Sequence, residues 1–252
     1  AFVTERISAP GGEFVQWSRD GASLTWSVGP RFMRYTIDDS LGTATNTPRQ
    51  IADLSLRVES DRPEGLVAFI NARVITMNET RDTLESGVVV VRENRIESVG
   101  RTGEIVIPTE AKIVDLGGKT LLPGYIDAHA HGPYARDDII PQNNWSLLAH
   151  LALGVTTVHN PSSRAAQVFP AAEYQRAGVT LGPRIFSTGE IIYGAKSTGF
   201  DPIESLEDAK AVVDRLKAQG AISVKNYNQP RRAQRQMVIE AARDAEMLVV
   251  AE

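Results

Sequence analysis

The residues best suited to chemistry stand in one short run, Lys119-Thr120-Leu121-Leu122-Pro123-Gly124-Tyr125-Ile126-Asp127-Ala128-His129-Ala130-His131-Gly132. Side chains alternate across a strand, so His129 and His131 project to the same side. Two imidazoles converging there suit a divalent ion such as zinc. If the run is a barrel strand, that side at its C-terminal end is the mouth, where the active sites of such barrels lie. Gly132 permits a sharp exit from the strand. Alone, His-x-His reads equally well as two surface histidines near a loop. Its setting, behind Leu-Pro-Gly-Tyr-Ile-Asp and after a series of β segments, strengthens the metal reading.

Composition limits what else the chain can do. With no cysteine, disulfides, thiolate metal sites and cysteine nucleophiles are excluded. The four histidines are 129, 131, 150 and 159, so a histidine-built metal site draws on these or on another chain. The net charge of −4 is spread over mixed acids and bases, giving no basic face for nucleic acid and no polybasic patch for a membrane surface. No apolar run approaches the ~20 residues that span a bilayer. A small-molecule substrate is the expected partner, and a homo-oligomer is left open. Neither a Gly-rich phosphate loop nor a G-x-S-x-G elbow is present.

The elements that must position the histidines follow from pattern. Residues 1–47 read as short strands and turns, with strands at Ser23–Val28 and Phe32–Ile37 and a tight turn at Asp20-Gly21. Residues 48–64, polar and containing Pro48 and Pro63, read as a linker. Residues 65–118 hold strand-like runs at Leu66–Ile70, Arg73–Met77, Gly87–Val91, Arg95–Gly100 and Ile113–Leu116, expected to form a small β-sandwich. From Lys119 the rhythm becomes strand–helix alternation. Strands are expected near 120–128, 154–159, 183–188, 221–226 and 247–251, and helices near 143–153, 164–177, 204–219 and 231–246. The helix at 204–219 shows an apolar stripe (Leu206, Ala209, Val212, Val213, Leu216) ended by Gly220. Repeated β-α units imply a parallel sheet, either a barrel or an open doubly wound sheet. A closed (β/α)8 barrel needs eight strands and eight helices, and this stretch offers five and four. The chain begins without Met or a signal-peptide pattern and stops after an apolar run, so both ends read as cuts in a longer chain.

The run Gly118–Gly132 resembles the first-strand signature of the amidohydrolase superfamily, and Gly154-Val-Thr-Thr-Val-His-Asn-Pro161 resembles its second strand. The β module resembles the composite sandwich those enzymes build from both ends of the chain. Residues 15–21, Val-Gln-Trp-Ser-Arg-Asp-Gly, resemble the blade repeat of the TolB-type β-propeller over about one blade. The whole looks like a TolB-propeller/amidohydrolase fusion, nearest to the imidazolonepropionase- and prolidase-like branch. The implied fold is α/β, the first part of a (β/α)8 TIM-type barrel with a β-sandwich module, preceded by a propeller-blade remnant.

The resemblance implies a metal site completed from later strands. Lys225, facing the interior together with Ser223, falls at the end of strand four, where many superfamily members use a carbamylated lysine; a lysine that reaches solvent or pairs with an acid is the alternative. Glu252 stands at the tip of strand five, where the superfamily commonly has a histidine. It would ligate through oxygen, support a ligand, or be a solvated acid. Glu190, after strand three, is a further carboxylate candidate. His159 ends strand two, with either it or Asn160 facing inward, in a supporting or substrate-contacting role. His150 reads as structural. Arg231, Arg232 and Arg235 read as a solvated helix start, with a substrate carboxylate as the functional alternative.

The implied chemistry is hydrolysis of an amide or cyclic amide C–N bond by a metal-activated water, with one or two ions, zinc foremost. The superfamily's strand-eight aspartate has no counterpart in this chain, so the stretch alone is expected to be inactive. The competing reading is a non-catalytic propeller/barrel scaffold with a degenerate site. Analogy with exported propeller fusions points to a periplasmic or secreted protein.

Overall fold

The computed structural model describes residues 6–8, 10–37, 47–136, 139–194, 200 and 202–252. Among these residues four sheets follow one another in sequence. The first is an antiparallel meander of β1 (Glu13–Trp17), β2 (Ser23–Val28), β3 (Arg31–Thr36) and β4 (Arg49–Asp53). Its first turn forms because Asp20 Oδ1 accepts from Ser18 Oγ (2.6 Å) and from the Ala22 amide (3.0 Å), while Gly21 takes φ +72°. β4 corrects the expected linker at 48–64: Arg49–Asp53 pairs with β3. That strand lacks an apolar alternation and exists because the backbone edge of β3 offers it a ladder. Trp26 of β2 is the buried anchor of the sheet, at 2% exposure.

The second sheet has the order β7-β6-β5-β8, from β5 (Leu66–Ile75), β6 (Thr83–Arg92), β7 (Arg95–Arg101) and β8 (Lys112–Asp115), with β9 (Thr120–Leu121) on the far part of β5. β5 runs unbroken through the two expected strands, bulging between Phe69 and Ala72, where Asn71 takes φ +53°. Among the described residues this module is one sheet. Its two faces carry separate apolar clusters, one around Ala68, Val88 and Val90, the other around Ala72, Val74 and Val89. The second face opens on a groove of about 550 Å³ bordered by Val99, Leu121 and Pro123.

From Tyr125 onward strands and helices alternate. β10 (Tyr125–Asp127), β11 (Val155–Asn160) and β12 (Arg184–Ser187) form one parallel sheet; β13 (Ile192–Tyr193), β14 (Ser223–Tyr227) and β15 (Leu248–Ala251) form another. The expected strand at 120–128 is split. Pro123, which has no N–H to give a ladder, lies between β9, paired to β5, and β10, paired to β11. The helices are α1 (Trp145–Ala152), α2 (Ala165–Arg176), α3 (Leu206–Gln219) and α4 (Arg232–Asp244). α3 starts in a capping box between Ser205 and Asp208 and ends at Gly220 in a left-handed conformation, φ +114°. Its stripe Ala209, Val212, Val213 and Leu216 joins Val158, Val168, Ile185, Val224 and Val238 in the main core. β10 and β15 are the outer strands of their sheets, and Ile126 (69%) and Leu248 (73%) are largely exposed there.

Candidate functional site

Within each parallel sheet the C-terminal strand ends lie on one side, and His129, His131, Lys225 and Glu252 stand at or just past such ends. His129 and His131 lie just past β10, their rings edge to face with centroids 5.1 Å apart and planes at 74°. An imidazole ligating through nitrogen at about 2 Å puts its ring centre roughly 3 Å from the ion, so two such rings on a tetrahedral ion stand about 5 Å apart. The ring spacing is thus compatible with two ligands of one divalent ion. No set of three His, Asp or Glu side chains able to hold a metal occurs among the described residues, so the pair is an incomplete ligand set.

Lys225 and Glu252 meet at the ends of the neighbouring strands β14 and β15, Nζ against Oε2. The lysine side chain is 5% exposed and the glutamate 47%. Strand pairing holds Glu252 in place: its amide donates to Asn226 O (3.3 Å) and its carbonyl accepts from the Asn228 amide (3.0 Å). The Lys225 hydrogen bond pulls the Glu252 carboxyl below the usual range, burial opposes it, and the charges of Lys225, His129 and His131 add to the depression. Glu252 thus stays ionised within the field of both histidines. Nζ also lies 5.0 Å from the centre of the Tyr227 ring, which stacks on Tyr193 at 5.6 Å.

His159 faces Ser223 and not the histidine pair's open side. Its Nε2 is 2.8 Å from Ser223 Oγ and its Nδ1 is 3.3 Å from the Ala128 carbonyl. Burial lowers the basicity of this ring, the Ala128 bond partly opposes that, and the nearby charge of His129 reinforces it, so the neutral form is favoured. Asn160, the other candidate for an inward residue, is 1% exposed and accepts the Ser162 amide at 2.8 Å. Glu190 goes elsewhere. Its Oε1 accepts the Ala165 amide at 2.7 Å, capping α2, whose N-cap residue Arg164 makes no side-chain cap bond. It also borders a cavity with Glu13, Tyr193 and Arg215. His150 binds the Ser146 carbonyl within α1 at 2.8 Å, as a structural residue does. Arg231, Arg232 and Arg235 lie exposed at the start of α4.

Two residues near the site have no signal in the sequence pattern. Asp127 Oδ1 accepts the His129 amide at 3.0 Å. Tyr134 is 3% exposed, and burial raises its phenol above the ordinary value against the opposing influence of the Asn160 side chain, so it keeps its proton. An Asp two residues before a strand-end histidine could have been read as a local cap; the tyrosine contact depends on a loop path no spacing reveals.

Comparison with known proteins shows a local sequence similarity and a shared fold. No family model matches the chain. The 5-methylthioadenosine/S-adenosylhomocysteine deaminases of Bacillus thuringiensis (strain Al Hakam) and Bacillus anthracis (strain CDC 684 / NRRL 3495) are 34% identical over 64 residues, 25% of this chain and 14% of each relative. Among solved structures, a protein described as a prolidase from Bifidobacterium longum aligns with TM-score 0.60 and 24% identity over 76% of this chain and 50% of its own. Phenylurea hydrolase B aligns with TM-score 0.58 and 19% identity over 75% and 55%. A Xaa-Pro dipeptidase with methionine in its active site gives 0.56 and 20% over 74% and 56%. The chain spans about half the length of these solved structures and a small part of the curated relatives. The neighbours are amidohydrolase-family proteins, and this chain shares their mixed α/β fold.

Proposed function

We propose that the chain contributes the metal-binding front of a hydrolase acting on C–N bonds, with β10 to β15 as an arc of a (β/α)8 barrel and β1 to β4 as a single propeller-type blade. The observation that carries this is the His129/His131 pair, at a separation that fits one ion, at the C-terminal end of a parallel strand. The named neighbours, hydrolases and deaminases, support the reaction class. His129 and His131 would hold the ion, and the Glu252 carboxylate, whose charge interacts with both, is the oxygen donor proposed to join them. A divalent ion there would supply a bound water acidified to a pKa of about 7 and polarise a substrate carbonyl. The chain's own residues orient that centre: Asp127 fixes the His129 backbone, Glu252 remains anionic, and Tyr227 and Lys225 wall the adjacent side. With Lys225 paired to Glu252, carbamylation would put two anions together, so the carbamylated state requires metal between them. A small amide or cyclic amide is the substrate class, and this stretch alone is proposed to be inactive.

Metal content and Zn2+ titration test the reading. Wild type should take up at least one Zn2+ per chain, His129→Ala and His131→Ala should each lose it, and Lys225→Met should separate a one-ion from a two-ion site. A wild-type chain that binds no Zn2+, with the fold intact by circular dichroism, would favour the scaffold reading instead.

A further inference from the structure

We infer that Ser223 and His159 form a positioning pair that fixes the peptide unit carrying His129, so that strand β14 sets the aim of a histidine just past β10. This rests on the reading of His129 as a metal ligand for its consequence, but not for its geometry. A backbone carbonyl can only accept a hydrogen bond. The Nδ1 contact to the Ala128 carbonyl (3.3 Å) therefore requires a proton on Nδ1. In the neutral ring Nε2 is then a bare acceptor, and the Ser223 hydroxyl at 2.8 Å donates to it. Both ring nitrogens are thereby engaged, which makes His159 a strut and leaves it no free nitrogen for ion or substrate.

The unit it holds is the Ala128–His129 peptide. Its carbonyl is bonded by His159, and its amide, the His129 N–H, donates to Asp127 Oδ1 at 3.0 Å. The backbone of β11 adds a third tie, with the Ala130 amide donating to the His159 carbonyl at 3.0 Å. A peptide bonded on both sides cannot rotate, and its orientation dictates where the Cα–Cβ bond of His129 points. The chain of contacts runs from β14 through β11 to β10 and so joins the two parallel sheets across the site. Ser223, at 2% exposure, has no solvent with which to trade this bond. Ser223 also lies two residues before Lys225 on β14, so one strand presents the strut and the lysine together.

The test begins on the metal-free chain labelled with 15N-histidine. Two-bond 1H–15N correlations report which nitrogen of His159 bears the proton. Nδ1–H with a bare Nε2 is expected; an Nε2–H tautomer overturns the inference whatever the chain does with metal. Ser223→Thr and Ser223→Val then compare equal shapes with and without a hydroxyl. Threonine should keep the tautomer and the slow exchange of the His129 amide. Valine should mix the tautomers, speed that exchange, and weaken Co2+ binding about tenfold, the scale on which groups supporting metal ligands act. Unchanged His129 exchange and Co2+ affinity in Ser223→Val would overturn the pair as a positioning device. If wild type binds no Co2+, the metal reading fails by itself, and the tautomer and exchange measurements still decide the strut.

Discussion

At the residue scale the Lys225–Glu252 pair is the most informative contact, because a buried ammonium needs a reason. The glutamate is half exposed and the lysine is not, so the lysine bears most of the cost of leaving water. Replacing a buried charge with an apolar side chain of similar length is often neutral or stabilising, whereas removing only its partner is destabilising. Lys225→Met should therefore unfold at the same denaturant concentration as wild type or a higher one, and Glu252→Gln at a lower one. The reverse order would mean that the lysine is there for stability and not for chemistry. The pair also has a pH signature. Glu252 is held below its ordinary range by Lys225, so its contribution is present above that range and disappears as pH falls through the depressed value. The gap between wild type and Glu252→Gln should close on acidification.

At the element scale the tightest constraint is Gly124, the residue that brings β10 against β11. A Cβ there would collide with Thr156 Oγ1 and lie 2.7 Å from Thr156 Cβ. Gly124→Ala must push the strands apart, and overpacking of this kind costs about 1–3 kcal/mol. Thr156→Ala should rescue it only in part, since the Thr156 Cβ is itself too close; urea unfolding of the single and double variants checks both statements. A second constraint joins β1 to the α3 region. Glu13 has its carboxyl raised above the ordinary range, first by burial and then by Glu190, with Arg215, a Gln219 hydrogen bond and Arg164 opposing. A carboxyl raised in the folded state favours folding below its ordinary titration range and loses that advantage as pH climbs through the raised value. Glu13→Gln should accordingly be more stable than wild type at neutral pH and no more stable near pH 4.

Much at this scale could be read before any coordinates. The four helices and the later strands follow from apolar period and capping residues, as Ser205, Asp208 and Gly220 illustrate for α3. The His-x-His spacing was legible, but both residues lie past β10 and the chain turns at 128–129, so strand alternation is not what brings their rings together. Strand-end parity is what defeats sequence reading: whether His159 or Asn160 turns inward depends on where β11 stops, and the strand runs through both. Glu190 had the right chemistry for a ligand, but the N-terminus of α2 lacked a side-chain cap and took it. β4 and β13 escaped because short strands of ordinary composition exist only where a neighbour's free edge recruits them.

At the scale of the whole molecule, the two parallel sheets each present an unpaired outer strand with apolar side chains beside it. Ile126 and Tyr125 on β10 are 69% and 58% exposed, and Leu248 on β15 is 73% exposed. Unpaired N–H and C=O groups next to apolar surface form a template for another strand, and native proteins usually cover or charge such edges. No lysine, arginine, aspartate or glutamate guards Leu248 within β15, whose residues are Leu248-Val249-Val250-Ala251. The 252-residue chain on its own should therefore self-associate as concentration rises. Light scattering coupled to size exclusion should detect this, and salt should not suppress it, because the contact is apolar and backbone-mediated and not ionic. Ile126→Lys and Leu248→Lys place a charge on each edge and should shift the chain toward monomer, the double variant most of all. Neither residue touches the histidine pair in the contacts described, so Zn2+ uptake should survive both changes. A chain that remains monomeric at high concentration would mean that these edges are protected by something other than side-chain chemistry. Self-association relieved by the two lysines would locate the outer strands β10 and β15 as the surfaces through which copies of this chain meet.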